Sequence, residues 1–382
     1  MNNITKTLEM TDWDFINAKT NTTTHSFHPY PAKFIPQIPR KLIEVLSTPG
    51  DCIYDPFLGS GTTAVEANIL GRNANGNDVN ELAVLISKVK TTPILPDELK
   101  TLDVFLNQCR SCIEQLYSQN HSNKIDKPKI LNLDKWFEDY VINELVVIKE
   151  QIKTIDDVDL RDFCLVALSG IIVNVSRQDS DTRYVRVPKD INHFDTFIRF
   201  EKQIKKLRKH MLASHMEISN GFSEFKIADT RVQGIFPDNS AQLAITSPPY
   251  PNAYDYHLYH KYRLFWLDMN PNELRENEIG AHAYYSKKNG LNEFDFVNDM
   301  EKSFFTTSNI LVPGSYFAIV IGNSILKGRT IRNNLLLKEM SKKTPFIFIR
   351  EFSRNICLSK KSFNPVIGNI KKEYILLFKN NK

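Results

Sequence analysis

Apolar residues in this chain recur at two periods, and the switches between them outline its organisation. Short apolar or alternating runs at Cys52-Ile53-Tyr54, Asn73 to Asn77, Phe225 to Ala228, Gln242 to Thr246, 314–322, 345–352 and 373–379 predict strands. Apolar residues at Ile38, Leu42, Val45 and Leu46 predict a helix over Pro36–Leu46, broken by Pro49-Gly50. Further helices are predicted over Thr62–Leu70, closed by Gly71, and over Glu81–Val89, 294–311 and 330–341. From Pro96 to about Gly221 the period is helical, with amphipathic segments at 99–118, 134–154, 160–175 and 194–213. Residues 1–24 are polar and predict no packed core of their own. The result is an α/β reading in three parts: 24–95, a helical insertion over 96–221, and 222–382. The stretch around Pro365 and Gly368 is too short for a crossover helix, so the last strand is expected to run antiparallel to its neighbour.

Composition narrows the class only slightly. A 382-residue chain with 42% hydrophobic and 24% charged residues is ordinary for a soluble protein. The opening MNNITKTLEM has no apolar core, and no run approaches the ~18 residues that span a bilayer, so a cytoplasmic protein without membrane contact is expected. Five cysteines are sparse; Cys109 and Cys112 read as one buried helix face rather than half of a metal site, so no metal is expected. The net charge of +5 is unevenly spread, because 326–382 carries fourteen Lys/Arg against three Asp/Glu. Such asymmetry suits either a polyanion face or a solvated surface.

Two stretches carry the chemistry. Asp55-Pro56-Phe57-Leu58-Gly59-Ser60-Gly61-Thr62 forms a strand, a glycine turn and a helix start. Glycines let backbone approach a ligand, and the helix N-terminus offers free N–H groups to an anion. The turn has neither a dinucleotide fingerprint nor the lysine of a P-loop. Asp78 follows at the end of the next strand, where an acidic residue suits a ribose diol or caps the helix after it. The second stretch is Thr246-Ser247-Pro248-Pro249-Tyr250, a strand ending in a corner stiffened by two prolines. A third, Ser176 to Lys189, is a polar loop whose Arg177, Arg183, Arg186 and Lys189 are candidates for DNA contact, with solvation as the competing reading.

The glycine turn together with Ser247-Pro248-Pro249-Tyr250 resembles the amino-methylating DNA methyltransferases, over residues 24–92 and 224–379. The resemblance implies a Rossmann-like S-adenosylmethionine-dependent methyltransferase fold with a seven-stranded mixed sheet. It implies that Asp55, Phe57, Gly59, Ser60, Gly61 and Thr62 line the methionine end of S-adenosylmethionine, that Asp78 takes the ribose and that Asp229 faces the adenine amine. The His28–Phe34 stretch, with Lys33 and Phe34, resembles the element that closes over the methionine moiety. Ser247, Pro248, Pro249 and Tyr250 become the catalytic corner, and duplex DNA the partner, with a cognate restriction endonuclease as a second expected partner. The order here, cofactor half first, leaves two segments open for target recognition: the helical insertion and the 281–292 loop.

Ring-carbon methylation would need a cysteine nucleophile behind a proline, and the chain has no Pro-Cys pair. A serine in the first corner position favours N4 of cytosine over N6 of adenine within the family. Methylation of an RNA amine, and a DNA-binding relative without turnover, are the rival readings.

Overall fold

The computed structural model describes residues 3–118, 127–252, 254–287, 289–356 and 372–382. Its centre is one sheet of seven strands: β1 (Cys52–Asp55), β2 (Asn73–Asp78), β3 (Ser223–Ile227), β4 (Ala241–Thr246), β5 (Leu311–Gly322), β6 (Phe346–Asn355) and β7 (Lys372–Asn380). Their spatial order is β6-β7-β5-β4-β1-β2-β3. Strands β1 to β5 pair in parallel, whereas β7 runs antiparallel between β5 and β6. The expected antiparallel last strand is therefore present, inserted one place in from the edge.

Period-two alternation divides the core. Leu243, Ile245, Ala318, Val320, Ile375 and Leu377 face one side and pack with Ile38 and Leu42 of α2 (Gln37–Leu46) and with Ala64 and Ala67 of α3 (Thr62–Ile69). Ala244, Phe317, Ile319, Ile321, Leu376 and Phe378 face the other, against helices Glu293–Ile310 and Asn333–Ser341. Helices on both faces let the parallel strands bury both sides.

The amino-terminal segment builds no core of its own but joins this one. Helix α1 (Asn3–Glu9) places Leu8 in the α2-side cluster, and the buried Trp13 packs on Phe352 with ring centroids 5.6 Å apart. Asp14 accepts two hydrogen bonds from Asn355. A polar pattern hid this, because the docking rests on a few isolated apolar residues.

Between β2 and β3 the chain leaves the sheet through α4 (Glu81–Thr91) into the helical insertion: α5 (Pro96–Ser118), α6 (Asp139–Lys153), α7 (Val158–Val175) and α8 (Asp195–Ile218). The predicted 134–154 helix is split, with a short turn Leu133–Trp136 before α6. Phe137 adopts extended backbone at the break and is 1% exposed, so burying its ring wins over helical continuity. Residues 176–189 are not a loop: Gln178–Ser180 and Arg183–Arg186 pair as an antiparallel hairpin. The insertion is not an independent unit, since its cluster also takes in Phe27, Leu82, Ile86, Tyr262, Leu264 and Trp266. No helix of the described residues is long and apolar enough to cross a membrane.

Trp13→Ala is expected to cost about 3–5 kcal/mol in urea unfolding, the usual loss for a buried aromatic. A loss under 1 kcal/mol would mean that the amino-terminal segment is not docked.

Candidate active site

Parallel pairing of β1 with β4, in the register Ile53 to Leu243 and Tyr54 to Ala244, brings the carboxyl ends of both strands to one rim. There the Thr246 hydroxyl donates to Asp55 Oδ1 at 2.6 Å, both groups buried. The Phe57 amide donates to the same oxygen at 3.1 Å. The glycine turn and the proline corner are thus tied side by side through side chains 191 positions apart. Burial pushes the Asp55 carboxyl up to about 6, partly offset by the hydrogen bonds from Thr246, Thr63 and Phe57.

The glycine turn is closely supported. Gly59 and Gly61 have φ of 49° and 72°. A Cβ on Gly61 would stand 2.6 Å from Ser87 Oγ, so close helix approach as well as conformation requires glycine. Asp78 Oδ2 accepts from the Gly59 amide at 2.8 Å, and its other oxygen from Asn80 at 2.9 Å. Asn80, not Asp78, is the N-cap of α4, accepting from the Leu82 amide. Burial pushes Asp78 up to about 6, with the two amide bonds opposing it and the Glu278 carboxylate adding to it. Lys90, 1% exposed, donates to the Ser60 carbonyl from beneath at 2.5 Å. The Ser60 hydroxyl itself is buried and has no hydrogen-bond partner among the described residues.

The proline corner is held from the opposite side. A Cβ on Gly280 would lie 2.6 Å from the Tyr250 carbonyl, and the Asn252 amide donates to Gly280 O at 2.9 Å. Asn252 also donates to Ile325 O at 2.7 Å. The Tyr250 hydroxyl reaches towards Glu373 at 3.4 Å, with the Ser247 side chain and Gly322 backbone beside it. Tyr250 therefore packs back against β5 and β7.

Not every expected residue joins this rim. Tyr30 is the member of the 28–34 stretch that meets the glycine turn: a Cβ on Gly59 would be 3.8 Å from its ring, and its hydroxyl accepts from Asn80. Tyr30 stacks on Tyr256 and His260 with centroids 5.6 and 5.0 Å apart, so Tyr256 joins the cleft wall, while Tyr254 lies 5.8 Å behind it. Lys33 instead donates to His25 O, and Phe34 packs against the α2-side core. Asp229 is held by Arg231 through both carboxylate oxygens, at 2.7–3.0 Å. In the hairpin, Arg177 bonds Asp134 O, Lys135 O and Glu138, and Lys189 bonds Val173 O; these two are structural ties. Arg183 and Arg186 are exposed.

Sequence reasoning missed two contributors. Glu278, 9% exposed, accepts from the Tyr256 amide and His257 Nδ1, each at 2.6 Å, and fixes the segment that carries Tyr256. Arg263, 1% exposed, bonds Ser169 O, His260 and Asp181, joining the insertion hairpin to the cleft wall. Neither has a local motif; each is one charged residue whose partners are remote.

Gly61→Ala is expected to destabilise the fold by about 2–4 kcal/mol, from left-handed backbone plus overpacking against Ser87. The folded chain holds the Asp55 proton more tightly than the unfolded chain, whose carboxyl titrates near 4. Its contribution to stability is therefore full below pH 4 and lost as the pH rises through about 6, by at most about 3 kcal/mol. Asp55→Asn should flatten that part of the pH–stability curve, measured by urea unfolding from pH 4 to 7; parallel curves for the two proteins would refute it.

A family profile for N6 and N4 enzymes, described as DNA methylase, matches residues 3–89. The type II methyltransferase M.MvaI of Kocuria varians is 27% identical over 423 residues, covering 96% of this chain and 93% of its own. The type II methyltransferase M.MjaII of Methanocaldococcus jannaschii is 22% identical, covering 94% and 82%. A solved S-adenosylmethionine-dependent methyltransferase from Methanosarcina mazei covers 92% of this chain and 98% of its own at 9% identity, with a TM-score of 0.35. By these matches the chain is similar to the N6 and N4 DNA methylases and to type II methyltransferases.

Proposed function

We propose that the chain methylates the exocyclic N4 amine of cytosine within a specific duplex DNA sequence, as the modification partner of a restriction endonuclease in a prokaryotic cytoplasm. The Thr246–Asp55 hydrogen bond carries the reading, because it sets the two motif corners at one sheet rim. The naming of relatives as type II methyltransferases supports a restriction–modification role.

The glycine turn fits S-adenosylmethionine. Gly59 and Gly61 leave backbone open, the buried Ser60 hydroxyl lacks a partner among the described residues, and Asp55 and Asp78 flank the turn as acceptors. Gly59 to Thr62 and Phe57 would hold the methionine end, and Asp78 the ribose. Asp229 would reach the adenine amine only by sharing its carboxylate with Arg231. When bound, S-adenosylmethionine supplies an electrophilic methyl group on a sulfonium.

The chain's own task is to present a nitrogen lone pair. The exocyclic amine of a nucleobase is conjugated with its ring. Ser247 Oγ and the Pro248 carbonyl, accepting its two N–H bonds, draw the nitrogen towards sp³ and free that lone pair. Rigid positioning of this kind supplies ~7–11 kcal/mol of a barrier in the best cases. A duplex base reaches the corner only when flipped out, at a cost of a few kcal/mol. Tyr250, packed against β5 and β7, would stack on the flipped base. The choice of cytosine rests on Ser247 standing where adenine enzymes of the family mostly carry Asp or Asn.

Ser247→Ala should leave S-adenosylmethionine affinity within about twofold and lower methyl transfer by about a hundredfold or more. Equal loss of binding and transfer would make the corner a scaffold. Mass spectrometry of nucleosides from duplex DNA treated with the wild-type protein should show N4-methylcytosine. N6-methyladenine would overturn the base assignment, and label confined to RNA would overturn the DNA reading.

A further inference from the structure

Helix α8 has a regular inner face and an uncompensated outer one. Phe197, Phe200, Ile204, Leu207, Met211 and Ile218 are buried in the insertion core. Arg199, Lys202, Lys206 and Lys209 recur at helical spacing on the side turned away from it, Arg199 half-buried and the three lysines exposed. Among the described residues no carboxylate lies within ion-pair distance of these four. The helix's own Glu201 is turned to Arg110 and Lys205, and Arg208 to Asp103.

More cations gather at both ends of the row. Lys206 donates to Ser26 O at 3.2 Å, at the base of the segment whose Tyr30 meets the glycine turn. Burial holds the Lys33 ammonium below its ordinary value, and Lys206 adds to this by repulsion. Burial lowers His210 likewise, helped by Lys206 and Lys209. Lys189, at the foot of the hairpin, is lowered by burial and by Arg199, opposed by the Asp179 and Asp181 carboxylates. Like charges this close repel one another, and the carbonyls that Lys33, Lys189 and Lys206 bond carry no counter-charge, so the surface is improved by an anion with several charges.

We propose that this α8 stripe is a phosphate-backbone contact surface for duplex DNA, holding the substrate without reading its sequence. The inference rests on the DNA-methyltransferase reading of the site. From Arg199 to Lys209 the helix rises about 15 Å, close to the axial span of five successive phosphates on one strand, about 14 Å. The basic 326–382 segment, conspicuous in the sequence, has several of its described cations already paired: Lys338 with Glu351, Arg350 with Glu9, and Arg354 with Glu373.

The test compares the wild-type chain with K202Q/K206Q/K209Q, K202R/K206R/K209R and the hairpin variant R183A/R186A. Binding to a duplex of arbitrary sequence is measured across a salt series, with S-adenosylmethionine affinity as the folding control. Each lost phosphate contact lowers the log–log salt slope by about 0.9. The triple Gln variant should lose about two to three units of slope and at least tenfold in affinity, while the triple Arg variant keeps both. An unchanged slope in the triple Gln variant overturns the stripe, whatever the hairpin variant does. A wild-type chain without affinity for duplex DNA overturns the underlying DNA reading instead.

Discussion

The architecture of the site depends on one buried hydrogen bond, from the Thr246 hydroxyl to the Asp55 carboxylate. Parallel pairing of β1 and β4 brings two strand ends to the same height but leaves the turns beyond them free to diverge. Asp55 closes that freedom, because the same oxygen also accepts the Phe57 amide that starts the glycine turn. Leaving either partner unpaired in this dry position would cost the full desolvation of a polar group, so the pair fixes both corners together. The placing of the two corners and the stability of the fold therefore share an atom.

Around that bond, the cleft is built from groups that are unfavourable alone. Asp55 and Asp78 are carboxylates held above their ordinary range by burial. Glu278 is likewise raised by burial while it anchors the Tyr256 segment. The helical insertion adds a wall: Arg263 reaches from beside the cleft to Asp181 of the hairpin and to Ser169 of α7. Leu82, Ile86 and Trp266 share the insertion's core, so the wall is packed into one cluster with α4.

Much of this was legible in the residues. Gly59-Ser60-Gly61 marked a turn because only glycine tolerates left-handed backbone under a packed helix, and Pro248-Pro249 marked the end of a strand because proline cannot continue one. Apolar runs in 314–322 and 373–379 predicted strands, and both lie inside the sheet with residues buried on its two faces. The errors have a common cause. Gln178 is buried and tied to Tyr259 O, while its hairpin partner Arg186 is exposed, so a polar string concealed a two-stranded element. Arg177, read from the sequence as a candidate for DNA contact, also braces the turn before α6.

Taken by itself, the sequence determined what local chemistry governs: the period of each element, where turns must fall, and which corners carry reactive or receptive groups. These follow from backbone torsions and neighbouring side chains, which a linear string contains. Only the tertiary structure decided which polar groups are already committed. Asp229 is taken by Arg231, Lys33 by His25 O, and Lys202, Lys206 and Lys209 of α8 are left without carboxylates among the described residues, while Lys205 is paired with Glu201. Those outcomes depend on distances between groups brought together by folding, and electrostatics responds to distance and burial rather than to position in the chain.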